Sequence, residues 1–353
     1  MVKIWPEEVT GIFSNLIAKI YIFTSKRVSI SMKAALFTQQ DHPLSLTDLP
    51  DPVPSAGRAL VTLRAAALNR RDYFITKGLY PKIVTPIVLG SDGAGLHNGR
   101  EVIINPNQNW GNNTAFPSKN YTILGMPDNG TLAEKILVNT DRLYPRPAHL
   151  NWHEAAALPL AGLTAYRALF TKGGLKKDQK VLITGVGGGV ALTAMQFAVA
   201  AGAVVYVTSG SVEKLDKAMA MGAAGGADYR EESWHESLKA KSGGFDLIID
   251  SAGGPGFNQL IKIAGPGARI VTYGGTLGAV PKFLPQSIFW KQITICGTSM
   301  GTDEEFLEML NFVTLHQIHP VIDRAFPLSR VNEAFERLEQ SDQFGKIIID
   351  PAL

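Results

Sequence analysis

The chain has 353 residues, 45% of them hydrophobic and 18% charged, with a net charge of +3. That length supports two domains with substantial cores, and the sparse, evenly spread charge excludes a nucleic-acid partner. A single cysteine, Cys296, excludes an internal disulfide framework and fits a reducing, cytoplasmic setting. Within the apolar run 292–296 it reads as a small buried hydrophobe rather than a nucleophile.

Residues 1–31 differ from the rest. Their apolar run, 12–23, is interrupted by Ser14, Asn15 and Lys19, so it is too short and too polar to span a bilayer. No small-residue cleavage site follows it. The expectation is a poorly ordered extension or an upstream start, with a membrane-surface helix as the lesser alternative. Met32 then opens a clean strand pattern, MKAALF. To about Leu150 the chain reads as short strands between Pro, Gly and Asp turns, clearest at 33–37, 58–67 and 101–105, which makes a small, mostly β domain. Residues 105–130, rich in Asn, Pro and Gly, predict a long surface loop or lobe. Helices are expected over 154–158 and 163–170.

The stretch QKVLITGVGGGVALTAMQFAVAAGAVVYVTSG, 179–210, carries the most information. An apolar strand, 181–184, meets a glycine cluster, then a helical run of small residues, then a β-branched strand, 204–208. Glycines at such a turn admit positive φ and let a pyrophosphate approach free N–H groups at a helix N-terminus. The spacing runs Gly185, Gly188, Ala191, with Gly187, Gly189 and Val190 between, so the strict GxGxxG fingerprint is not met. The strand–turn–helix–strand context nevertheless favours a dinucleotide over an ordinary flexible loop.

The second strand is followed by Thr208, Ser209, Gly210, Ser211 and Lys214, with no carboxylate at the strand end. Donors and positive charge there suit a 2′-phosphate, hence NADP(H). Ser211 as an N-cap and Lys214 as a solvated helix residue are the plainer alternatives. Glu213 is expected inside the helix, 212–221.

Alternation continues with strands at 227–230, 245–250, 269–273 and 292–296 and helices at 233–239 and 257–263. Six strands in that rhythm predict a doubly wound α/β parallel sheet. Helices at 304–314 and 331–340 and a last strand, 346–349, are placed with the first domain. The expected division is 1–31 extension, 32–155 catalytic domain, 156–299 NADP-binding domain and 300–353 a segment returning to the catalytic domain.

Taken together, MKAAL at 32–36, LNRRDYFITKGLYP at 68–81, LGSDGAG at 89–95, GLTAYRAL at 162–169, VLITGVGGGVA at 181–191 and FGKIIID near the end resemble the medium-chain dehydrogenase/reductase superfamily. The resemblance covers everything after residue 31. It implies a GroES-like β domain beside a Rossmann sheet, with the cofactor between them. Zinc alcohol dehydrogenases of that superfamily bind metal through Cys and a GHE motif; here Asn69 and Ser91-Asp92 stand in those regions. Tetrahedral zinc wants thiolate, imidazole or carboxylate donors converging on one point, a serine hydroxyl is a poor substitute, and the one cysteine lies in the sheet, so no metal is expected. His149/His153 and His316/His319 have helix-compatible spacing but read as solvated or capping residues.

Zinc-free members resemble quinone oxidoreductases and enoyl reductases. The expected function is therefore NADPH-dependent reduction of a quinone or an α,β-unsaturated carbonyl compound. A zinc alcohol dehydrogenase with unusual ligands and a non-catalytic NADPH-binding sensor are the alternatives. By resemblance, Asn69 and Asp72 border the nicotinamide, and Tyr80 protonates or positions substrate, with a packing aromatic as the rival role. A helix-start or salt-bridge role is the rival for Asp72. Thr164 is assigned near the phosphates, Tyr229 near the 2′-phosphate, and Gly253, Tyr273 and Gly274 at the nicotinamide and ribose. The resemblance also implies a homodimer paired along strand 292–296.

Overall fold

The computed structural model describes residues 31–353; the readings made for residues 1–30 lie outside the described residues. Short apolar, β-branched runs separated by helices have one stable solution, a parallel sheet covered on both faces. Six strands, Lys180–Ile183, Val204–Ser209, Gly225–Asp228, Phe245–Asp250, Ala264–Thr272 and Thr294–Gly297, pair in parallel. Their order is third, second, first, fourth, fifth, sixth. The order reverses at the first strand, and the glycine turn leaves from its C-terminal end.

The third strand begins two residues earlier than its β-propensity suggests, on Gly225 and Gly226. Those glycines let the strand lie close under the Val212–Ala220 helix, because a Cβ on Gly226 would stand 2.8 Å from the Leu215 side chain.

The second layer is a mostly antiparallel β structure around the ten-residue strand Arg58–Ala67. That strand pairs with Lys135–Asn139, Asp92–His97 and the last strand, Lys346–Asp350. Ile322–Pro327, which the sequence did not announce because Asp323 and Arg324 break its alternation, runs parallel to Lys346–Asp350. The end of the chain thus completes the sheet formed by the beginning. Between them, the Asp303–Leu315 helix packs Phe306, Met309 and Val313 into the same core as Leu163 and Ala165 of the Pro159–Tyr166 helix.

Residues 105–130 correct an expectation. They are not simply a surface loop, since Asn105 and Asn107 are fully buried and Asn107–Gln108 pairs with Thr122–Ile123. Amide side chains tolerate such burial only when bonded, and both donate to Asp303 Oδ1, at 3.1 and 3.3 Å. Arg167, 2% exposed and ion-paired to Glu305 at 2.6 Å, also donates to the carbonyls of Thr114 and Ala115.

Candidate active site

The glycine turn takes backbone angles that side chains disfavour, with φ +67 at Gly185 and +133 at Gly187. Gly188 is the N-cap residue of the Gly189–Ala200 helix, which carries no side-chain cap. Nothing lies within 4 Å of the point that a Gly188 Cβ would occupy. Gly189 is different: a Cβ there would meet Lys346 Cδ at 2.7 Å. One glycine leaves room for a ligand and its neighbour makes room for a lysine. Val190 follows, half-buried, in the first turn.

Beside the turn, at the end of the second strand, the hydroxyl of Ser209 accepts from the Ser211 N–H at 3.2 Å. Ser211 caps the Val212–Ala220 helix by accepting from the Lys214 N–H, the plainer of its two expected roles. Lys214 Nζ donates to Ser341 O at 2.8 Å, and burial pulls the ammonium below its ordinary range. The Tyr229 backbone N–H donates to Ser209 O, while its phenol lies against Gly210. Ser209, Ser211, Lys214 and Tyr229 therefore do converge. Glu213 sits inside the helix, paired with Lys217 at 2.6 Å.

A second group gathers where the fourth and fifth strands end. Gly253 N–H donates to Asp250 Oδ2 at 2.9 Å and Tyr273 N–H to Asp250 O at 3.0 Å. A Cβ on Gly274 would be 2.6 Å from Ser251 O. Asp250 also accepts from the Thr184 hydroxyl; burial raises its carboxyl above the usual range, and burial raises the Tyr273 phenol too. Thr164 directs its buried hydroxyl to the Met300 sulfur at 3.9 Å.

The third group belongs to the β layer. Asn69 begins the Arg70–Thr76 helix, and Asp72 accepts from its N–H at 2.8 Å, closing the first turn. The helix-start role of Asp72 is thus present. Its carboxyl is fully buried with Oδ1 unpartnered, and is pushed up to about 6, mainly by burial. Asn69 Nδ2 donates to Asp92 Oδ2 at 2.9 Å, and Lys346 Nζ donates both to Asn69 Oδ1 at 2.6 Å and to Asp92 Oδ2 at 3.0 Å. Asp92 Oδ1 accepts from the Leu160 N–H at 2.8 Å. Through Lys346, this network abuts the N-terminus of the Gly189–Ala200 helix.

Tyr80 lies beside it. Arg71 donates from Nε to Tyr80 Oη at 3.2 Å, with its guanidinium 5.0 Å from the ring centroid. The same guanidinium donates to Ser91 Oγ at 3.0 Å and to the carbonyls of Ile123, Leu124 and Met126. Neighbouring Tyr121 has a buried hydroxyl without a partner, and burial raises it.

The sequence reasoning missed Arg71 and Lys346, and read Asp92 only as standing in a metal-ligand region. A lysine heading the apolar run 347–349 was the available signal, because a buried ammonium needs a partner. The histidines sit away from these groups: His153 bonds Asp350 at 2.7 Å, His319 bonds Glu154 at 3.0 Å, and His316 packs on Phe312. Among the described residues, no group of three or more His, Cys, Asp or Glu could hold a metal, and no helix is long and apolar enough to cross a membrane.

Comparison with known proteins gives the family. An alcohol dehydrogenase GroES-like domain model matches residues 55–148, and a zinc-binding dehydrogenase model matches residues 189–314. The chain is 35% identical to the zinc-type alcohol dehydrogenase-like protein YogA of Leptosphaeria maculans, over 92% of this chain and 99% of the relative. Among solved structures, an NAD-dependent alcohol dehydrogenase superposes with a TM-score of 0.86 at 32% identity, over 90% of this chain and 99% of that one. The quinone oxidoreductase of Thermus thermophilus, solved also in complex with NADPH, gives 0.77 at 27% identity, over 90% and 100%. The protein belongs to the medium-chain dehydrogenase/reductase superfamily, with the GroES-like domain and Rossmann-type parallel sheet of its oxidoreductases.

Proposed function

We propose that the protein is an NADPH-dependent, metal-independent reductase of quinones or α,β-unsaturated carbonyl compounds. The observation carrying this reading is that two cations, Arg71 and Lys346, are bonded to Ser91, Asn69 and Asp92, the side chains standing where metal ligands would be. A divalent ion there would have a hydroxyl, an amide and a carboxylate already bonded to an ammonium as donors. It would also face two positive charges. These residues do not fit zinc.

They do fit a dinucleotide. The uncapped helix N-terminus and the open space at Gly188 suit a pyrophosphate, and Ser211 with Lys214 suits a 2′-phosphate. Bound NADPH would supply the hydride. Tyr80 supplies the proton: its oxygen already accepts from Arg71, so its own hydrogen remains available for a substrate atom. The phenolate left behind forms beside a fixed positive charge and is reprotonated from solvent. Asn69 is held by Lys346 and Asp92 in one orientation.

NADPH oxidation with a panel of quinones and enones tests the reading, alongside metal analysis. Absence of turnover, a clear NADH preference like that named for the 32%-identical structure, or stoichiometric zinc lost together with activity would each defeat it. Tyr80→Phe should slow enone reduction by about 10- to 10,000-fold. An unchanged rate removes Tyr80 from the chemistry.

The same reading includes a cytoplasmic homodimer with a small-molecule substrate. Thr294–Gly297 is an edge strand, and Leu277, Leu284 and Trp290 nearby are 63%, 61% and 79% exposed. Pairing two copies would bury both features. Sedimentation should give a dimer, which Trp290→Glu weakens.

A further inference from the structure

The segment 341–345 joins the Val331–Gln340 helix to the last strand and lies across the glycine turn. Gly345 N–H donates to Gly187 O at 3.1 Å, and the Gln343 carbonyl is 3.4 Å from where a Gly187 Cβ would stand. The Lys214 stem is caught between the two, its Cδ 3.0 Å from that same point and its Nζ bonded to Ser341 O. Arg70 holds the other side of Ser341, donating to its hydroxyl at 2.8 Å.

The charges facing Lys214 are Asp342, Arg337, Asp323 and Glu213. Arg337 and Asp323 are paired with each other at 3.1 Å, and Glu213 is paired with Lys217 on the exposed side of its helix. That leaves Asp342, exposed and next in the chain to the Ser341 carbonyl that Lys214 holds, as the nearby carboxylate with no ion pair among the described residues.

We propose that Asp342 is a specificity-determining residue, whose charge opposes the 2′-phosphate at Lys214 and narrows the preference for NADPH over NADH. The inference rests on the proposed role of Lys214. A 2′-phosphate takes the Lys214 ammonium from Ser341 O and comes to lie near the Asp342 carboxylate, whereas a 2′-hydroxyl meets no such repulsion.

The test is titration of the full-length protein with NADPH and with NADH, followed by calorimetry or fluorescence, for wild type, Asp342→Asn, Asp342→Lys and Lys214→Met. Asp342→Asn should tighten NADPH by about 3- to 10-fold, as expected for removing a like charge several ångströms from a phosphate. Asp342→Lys should tighten it further, both gains should shrink in high salt, and NADH should change by less than about 2-fold, since it lacks the phosphate. If both Asp342 variants leave the NADPH/NADH ratio unchanged while Lys214→Met lowers NADPH affinity, this inference alone is overturned. If Lys214→Met also leaves the ratio unchanged, the phosphate role of Lys214 falls with it.

Discussion

Lys346→Met is the most informative perturbation of this molecule. The ammonium is 5% exposed and its partner Asp92 is 0% exposed, so both charges have left water and each relies on the other. Methionine keeps most of the stem that packs against Gly189 but removes the charge, leaving a buried carboxylate with two neutral donors, Asn69 Nδ2 and the Leu160 N–H. It also leaves Asn69 Oδ1 without a donor. Removing one partner of a buried pair costs about 3–5 kcal/mol. For a chain of this size that displaces a urea midpoint on the order of 1 M. Equilibrium unfolding followed by two probes measures it, with Asp92→Asn and the double variant completing a cycle. The double variant should recover at least half of the loss, because it removes both desolvated charges. A single-variant cost below about 1 kcal/mol, or a double-variant cost equal to the sum of the singles, would refute the buried-pair argument.

Asp72 gives a pH test. Its folded carboxyl titrates at about 6 against an ordinary 3.8, so the folded chain binds more protons between those values and stability falls as pH rises through them. At about 1.4 kcal/mol per unit the loss is roughly 3 kcal/mol. Asp72→Asn should flatten that limb and be the more stable form at neutral pH; an unaltered limb would count against the burial argument. Gly189→Ala must displace the bonded stem of Lys346, and should cost about 1–3 kcal/mol and weaken NADPH binding; Gly188→Ala, which meets nothing, should cost less stability. Arg167→Met breaks the buried pair with Glu305, frees the Thr114 carbonyl and leaves the Ala115 carbonyl to Lys172 alone. It should destabilise by about 3–5 kcal/mol and open residues 109–120 to limited proteolysis, whereas unchanged cleavage would show that the lobe is held elsewhere.

The sequence alone determined the parallel sheet, because most of its strands are local apolar runs rich in β-branched residues, whose burial on both faces requires little knowledge of their neighbours. The Phe245–Asp250 strand and the Phe257–Ile263 and Val331–Gln340 helices were legible to the residue. So was the neighbourhood of Ser209, Ser211 and Lys214, since a strand end, a cap and the next helical turn are set by spacing. Tertiary structure decided the rest. Lys346 is 277 residues from Asn69 and 254 from Asp92, and no local pattern says which buried carboxylate an ammonium will meet. Arg71 reads as one more charge at a helix start until folding surrounds it with three carbonyls, a serine and a phenol. Local preference selects elements, but the partner of a buried charge is chosen by the packing that removes water from both.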